Sequence, residues 1–136
     1  GLRVGWAYAP RHVLETLDRV RVPFNVNAAA QAAAIAALHD TVYTEMVAAH
    51  NETWRGWLTE RIRALGLPVD DSAGNFVLVR FGSRERAAEA DRFLIARGLI
   101  LREMSGYGLP DSLRLTVGSE EANRAVVESL KEFVSR

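Results

Sequence analysis

Apolar positions along the chain repeat with two different periods, which predicts a mixture of strands and helices. Four short runs, rich in branched and aromatic residues, have the pattern of strands: residues 2–9, 75–81, 99–104 and 113–117. The segments between them carry apolar residues at spacings of three and four, which is typical of amphipathic helices. The predicted order is therefore β-α-α(α)-β-α-β-β-α, an α/β protein.

Capping residues indicate where the helices begin. Asn27 and Ser83 each precede a helical pattern and suit the N-cap position. Residues 28–65 are helical throughout. The pattern leaves open whether they form one helix or two, the second being capped by Asp40 or Thr41.

The strand predicted over residues 2–9 is distant in sequence from the other three strands. A lone strand requires neighbours. We therefore expect its sheet partners to lie in sequence before Gly1. Because the chain does not begin with Met, we also expect that its amino terminus is not the native one. The last four elements, in contrast, are sufficient for a small sheet with helices packed against it.

Composition excludes several classes of protein. The 136 residues are 49% hydrophobic with a formal net charge of +0, which predicts a folded protein without a basic stripe for nucleic acid. Absence of cysteine excludes disulfides and cysteine metal sites, and the three histidines form no metal-binding pair. No apolar run is long enough to span a membrane and no signal peptide is recognisable, so the default compartment is the cytoplasm.

Arginine carries nearly all of the positive charge. Of 17 Lys and Arg residues only Lys131 is a lysine, so chemistry that requires an amine has one candidate. Arg102 and Arg114 each lie within an apolar strand, while Arg3 begins the first predicted strand beside small residues. Either strand arginine, taken alone, could simply face solvent or could hold a carboxylate or phosphate with its two-pronged guanidinium. Two of them on adjacent strands favour the anion site.

Five segments, in this order, resemble one family of enzymes. They are GLRVGW (residues 1–6), VPFNVN (22–27), GNFVLVRF (74–81), ILR (100–102) and YGLPDSLRLTVG (107–118). The first resembles the segment that follows the Schiff-base lysine in fold-type I pyridoxal-phosphate aminotransferases, and the other four resemble the histidinol-phosphate aminotransferase family. The resemblance covers essentially all of this chain but only the carboxy-terminal part of a family member.

The resemblance implies a role for four residues. Arg3 corresponds to the arginine that binds the phosphate of pyridoxal 5'-phosphate, and Arg114 to the one that holds the substrate's α-carboxylate or an equivalent group. Arg102 corresponds to an arginine that grips the substrate's phosphate, and Asn75 would lie next to the substrate. None of these is a catalytic residue. The Schiff-base lysine, and the Asp and Tyr that contact the cofactor ring, belong to sequence before Gly1.

Two asparagines and the lone lysine remain without an assigned role in binding or catalysis. Asn25 and Asn27 would lie near the active-site and dimer region. Lys131 belongs to the last helix and does not match the lysine position of the family, so this segment alone is expected to be inactive.

The resemblance also implies a fold and a reaction. Residues 1–40 would be the tail of the large cofactor-binding domain, a strand followed by long helices. Residues 41–136 would be the small carboxy-terminal domain, a short and mainly antiparallel sheet packed by helices. The complete enzyme would be a cytoplasmic homodimer of histidine biosynthesis. It would transfer an amino group between L-histidinol phosphate and 2-oxoglutarate.

Other interpretations share the same sequence features. An aromatic aminotransferase or a threonine-phosphate decarboxylase relative would carry the same cofactor motifs. A protein without chemistry, serving as a binding or oligomerisation module, would also be consistent with a single lysine placed away from the cofactor position. An upstream Ser-Lys pair distinguishes the enzyme from the module.

Overall fold

The computed structural model describes all residues from 1 to 136 and contains five α-helices, one short 3₁₀ helix and three strands. The helices are α1 (Arg11–Val20), α2 (Ala28–His39), α3 (Thr41–Ala64), α4 (Arg84–Ile95) and α5 (Glu120–Val134). The strands are β1 (Phe76–Arg80), β2 (Arg102–Glu103) and β3 (Ser112–Thr116). The chain divides into two compact units, Gly1–Glu45 and Met46–Arg136, and each is described by itself. This α/β architecture with a small antiparallel sheet confirms the predicted fold class.

The first unit contains helices but no strand, so residues 2–9 do not form the predicted strand within this chain. Residues 1–10 have no regular secondary structure. A strand is defined by ladder hydrogen bonds to a neighbouring strand, and this unit contains no other strand to provide them. The alternation of Val4, Trp6 and Tyr8 is real, but all three side chains are exposed.

Residues 28–64 form two helices rather than one. The Asn27 side chain caps α2 by accepting a hydrogen bond from the Ala30 N–H at 2.8 Å, as its position in the sequence predicts. Asp40 leaves the helical conformation, with φ −86° and ψ 70°, and its carboxylate accepts from the Tyr43 N–H at 3.0 Å. Asp40 therefore ends α2 and caps α3.

The second unit is built on a three-stranded antiparallel sheet with the order β1-β3-β2. Its central strand, β3, pairs with β1 over five residues but with β2 over only two. The strand predicted over residues 99–104 is therefore shorter than expected. Its first residues complete the end of α4, where Gly98 has a left-handed φ of 74° and the Leu99 N–H bonds to the Leu94 carbonyl at 3.0 Å.

One face of the sheet packs on three helices to form the core. Alternate strand positions Val77, Val79, Leu113 and Leu115 are buried, as the period of a strand requires. The helices contribute the buried side chains of Leu58, Ile62, Ala87, Ala90, Leu94, Val126, Val127, Leu130 and Phe133. Because these helices cover this face, the side chains at the other strand positions point away from the core.

Replacement of one fully buried leucine should strongly destabilise this unit. Leu130→Ala removes a side chain with no exposed surface, and we expect the free energy of unfolding to fall by about 2–5 kcal/mol. Ile100→Ala is the control, because Ile100 is 83% exposed and should change stability by less than about 0.5 kcal/mol. Urea denaturation of both variants measures the difference. Equal stabilities would contradict this description of the core.

Candidate anion-binding site

Two arginines lie opposite each other on the sheet face that points away from the core. The register pairs Arg114 of β3 with Arg102 of β2 on one side and with Leu78 of β1 on the other. Directly opposed residues in an antiparallel pair project to the same face. The prediction that Arg102 and Arg114 belong to adjacent strands is therefore confirmed, and their guanidinium groups share one face.

This arginine pair has no carboxylate partner. Neither Arg102 nor Arg114 forms an ion pair, although like charges directly opposite each other destabilise a sheet. The Nε of Arg114 is in addition buried without a hydrogen-bond partner. A buried donor left unpaired costs free energy, and an oxyanion at this position would both satisfy the donor and offset the repulsion.

A third arginine on the same face, Arg80, shows the opposite arrangement. Its Nε and Nη2 donate to the two carboxylate oxygens of Asp70 at 2.9 and 2.6 Å, and Asp111 lies 3.9 Å from its Nη1. The hydrogen bonds from Arg80 hold the pKa of the Asp70 carboxyl below its ordinary value. Arg80 is therefore neutralised by its own chain, which leaves Arg102 and Arg114 as the cations available on this face.

Two aromatic rings accompany the unpaired arginines. The Arg114 guanidinium carbon lies 5.2 Å from the centre of the Phe76 ring. The Arg102 guanidinium carbon lies 5.7 Å from the centre of the Tyr107 ring, and its Nη2 donates to the Tyr107 hydroxyl at 3.3 Å. Sequence reasoning missed both aromatic residues. Neither ring is adjacent in sequence to its arginine. The sheet register brings Phe76 to Arg114, and the turn after β2 brings Tyr107 to Arg102.

Asn75 lies at the end of the same sheet. It immediately precedes β1, is exposed, and its backbone carbonyl accepts a hydrogen bond from the Val117 N–H at 2.8 Å. That bond extends the pairing of β1 with β3 by one step. Asn75 is thus next to Phe76 in the chain and on the sheet that carries the arginine pair.

Arg3 belongs to the first unit. Its side chain is exposed and forms no ion pair, and its backbone adopts a left-handed φ of 63°, which is uncommon for a residue other than glycine. The Asn27 Nδ2 donates to the carbonyl of Leu2 at 3.2 Å, so the residue before Arg3 is tied to the start of α2. Asn25 is also exposed.

Other functional groups are not assembled into a site. Lys131 is exposed on α5 and its Nζ lies 3.7 Å from a carboxylate oxygen of Glu128. No three His, Asp or Glu side chains converge in a way that could hold a metal ion. None of the helices combines the length and the apolar character that crossing a membrane requires.

The fold and the arginine pair define a small α/β unit with a cationic sheet face, and comparisons with known proteins show which family it belongs to. Residues 1–130 match the family model of aminotransferase class I and II. The chain belongs to this family, which confirms the resemblance seen in its motifs.

The relatives are considerably longer than this chain. It is 54% identical over 132 residues to a histidinol-phosphate aminotransferase of Dinoroseobacter shibae, covering 97% of this chain and 37% of that protein. A crystal structure of a putative aminotransferase from Burkholderia pseudomallei superposes with a TM-score of 0.80 at 28% identity, over 92% of this chain and 38% of that one. The histidinol-phosphate aminotransferase from Sinorhizobium meliloti, solved in complex with pyridoxal-5'-phosphate, has a TM-score of 0.65 at 25% identity, over 91% and 34%. This chain thus spans little more than a third of each.

The Asp70–Arg80 pair should stabilise the folded protein at neutral pH, and this stabilisation should be lost in strong acid. Because the pKa of folded Asp70 is lowered from 3.8, its stabilising effect is complete above that value and is lost as the pH falls through the folded pKa. Asp70→Asn should therefore be less stable than wild type at pH 7, with a difference that shrinks towards pH 2. Denaturation curves across this pH range test it, and a difference independent of pH would contradict it.

Proposed function

We propose that this chain is the carboxy-terminal part of a longer pyridoxal-phosphate-dependent aminotransferase that transfers an amino group between L-histidinol phosphate and 2-oxoglutarate. The observation that carries the proposal is the pair of uncompensated arginines, Arg102 and Arg114, with a buried Nε lacking a partner. Similarity to the Dinoroseobacter shibae enzyme over nearly the whole chain supports the choice of substrates.

The arginine pair suits both substrates of such a reaction. One half-reaction uses a phosphate ester without an α-carboxylate, and the other uses glutamate or 2-oxoglutarate. A guanidinium binds a phosphate or a carboxylate through two parallel hydrogen bonds, so the same side chains serve both. We assign Arg114 to the α-carboxylate or the group in its place, Arg102 to the substrate phosphate, and Asn75 to the substrate's immediate surroundings.

The residues of the first unit fit the phosphate of the cofactor. Arg3 is an exposed cation without a carboxylate partner, and Asn27 holds the peptide that precedes it. Arg3 would bind the phosphate of pyridoxal 5'-phosphate. When bound, the cofactor withdraws electrons from the substrate, while the protein provides binding and orientation.

This chain's own residues bind and orient the substrate rather than move protons. Arg114 would fix the anionic end of the substrate so that the bond to be broken at Cα is correctly oriented. The amine that reacts with the cofactor would come from elsewhere in the longer protein, because Lys131, the one lysine of this chain, does not match the lysine position of the family. We therefore propose that the segment is inactive alone.

Domain organisation and assembly follow from the same proposal. Residues 1–40 would be the end of the large cofactor-binding domain and residues 41–136 the small domain, and the division into Gly1–Glu45 and Met46–Arg136 supports a boundary close to this.

Many apolar side chains of the first unit are exposed, among them Trp6, Tyr8 and Phe24. The remainder of the longer chain and a second subunit of a cytoplasmic homodimer would cover them.

Loss of the Arg114 guanidinium should weaken the binding of both substrates and leave the cofactor bound. In the complete enzyme we expect Arg114→Ala to lower kcat/KM for histidinol phosphate and for glutamate by about 10- to 100-fold, because a charge-assisted hydrogen bond is lost. Arg92→Ala, at an exposed position of α4, is the matched control. Unchanged kinetics for both substrates would refute the assignment.

Loss of the Arg3 guanidinium should instead weaken the binding of the cofactor. We expect Arg3→Ala to raise the dissociation constant of pyridoxal 5'-phosphate by about 10-fold or more, measured by titration of the apoenzyme followed by absorbance. Arg11→Ala serves as control, since Arg11 is 92% exposed and paired with Glu15. A variant that retains cofactor as tightly as wild type would exclude Arg3 as the phosphate ligand.

A further inference from the structure

We propose that Phe76 and Tyr107 are positioning residues that hold the anion-binding arginines in place of carboxylates. The inference rests on the proposed function, because it concerns how Arg114 and Arg102 are kept ready for a substrate. An aromatic face attracts a guanidinium without using its N–H groups. The donors of Arg114, and all but one of the donors of Arg102, therefore remain available for a phosphate or a carboxylate.

The Phe76 ring supports Arg114 across the strand pair. Phe76 of β1 is opposite Thr116, two positions along β3 from Arg114, so the two side chains are diagonal neighbours on one sheet face. Both side chains are half-buried, and the guanidinium carbon lies 5.2 Å from the ring centre. Attraction between a cation and a ring increases as water is excluded, so this contact helps to hold Arg114 on the face.

The Phe76 ring is itself confined. A Cβ built on Gly74 would lie 3.1 Å from Cε1 of Phe76, so the ring fills the space beside that glycine. On the strand side, pairing with Thr116 fixes the Phe76 backbone. A confined ring limits the positions that the Arg114 guanidinium can occupy.

Tyr107 supports Arg102 from a turn rather than from the sheet. It ends the short 3₁₀ helix Ser105–Tyr107, which Gly108 terminates with a left-handed φ of 76°. This turn returns the Tyr107 ring towards β2, where it lies beside Arg102 and its hydroxyl accepts one hydrogen bond. One donor of Arg102 is thus engaged by a neutral oxygen and its charge is not cancelled.

Arg80 shows what a carboxylate does on the same face. Asp70 accepts from two of its nitrogens, and Asp111 lies near a third. A substrate anion would have to compete with Asp70 for those donors. The rings beside Arg102 and Arg114 do not compete with a substrate anion in this way.

Kinetics of the complete holoenzyme test the role of Phe76. In Phe76→Leu, which keeps an apolar side chain but removes the ring, we expect KM for L-histidinol phosphate and for glutamate to rise about 3- to 10-fold, with kcat per bound cofactor within about twofold. Phe76→Tyr retains the ring and should stay within about twofold of wild type in both parameters. A merely structural defect would lower the amount of active enzyme without raising KM.

Tyr107 offers a second test that does not depend on core packing, because its side chain is 62% exposed. Tyr107→Phe keeps the ring and should retain most of the affinity for histidinol phosphate. Tyr107→Leu should raise KM for histidinol phosphate more than KM for glutamate, because Arg102 is assigned to the phosphate.

The outcomes separate this inference from the proposed function. If Arg114→Ala weakens both substrates but Phe76→Leu and Tyr107→Leu have wild-type KM values, the positioning role is wrong and the function stands. Equal effects of Phe76→Leu and Phe76→Tyr would also overturn it, because side-chain shape rather than the ring would then matter. If Arg114→Ala itself has no effect, the proposed function fails first.

Discussion

The antiparallel pairing of β2 with β3 is the constraint on which the candidate site depends. It lasts for only two residue pairs, yet one of them sets Arg102 directly opposite Arg114. A one-residue slip of that register would turn the Arg102 guanidinium to the opposite face of the sheet from Arg114. The buried side of β3, through Leu113 and Leu115, anchors the strand in the core and thereby fixes the side of the sheet on which Arg114 emerges.

The cost of this arrangement is electrostatic, and the rest of the unit makes it tolerable. Two like charges face each other and one guanidinium nitrogen is buried without a partner. The core beneath the sheet, built from three helices, provides the stability that such a site requires. The side chains of Phe76 and Tyr107 reduce the free energy of the unpaired cations and occupy only one of their donors, the Arg102 Nη2 that bonds to the Tyr107 hydroxyl.

Several features were predictable because they depend on neighbours in the sequence. The cap at Asn27 and the burial of alternate residues in β1 and β3 follow from local preferences and period. The sequence left open whether residues 28–65 form one helix or two, and the backbone conformation of Asp40 shows that there are two. The strand predicted over residues 2–9 is not formed within this chain, because strand propensity cannot supply a partner. The strand predicted over residues 99–104 was too long, because the first of these residues takes part in the cap at the end of α4.

By itself, the sequence determined the family, the order of helices and most strands, and the identity of the arginines. These depend on residue type and spacing, which the chain displays directly. Only the tertiary structure decided that Arg80 is neutralised by Asp70 while Arg102 and Arg114 are not, and that Phe76 and Tyr107 lie beside them. The partners of a side chain across a sheet depend on register, and register is set by how both strands bury their apolar residues in one core.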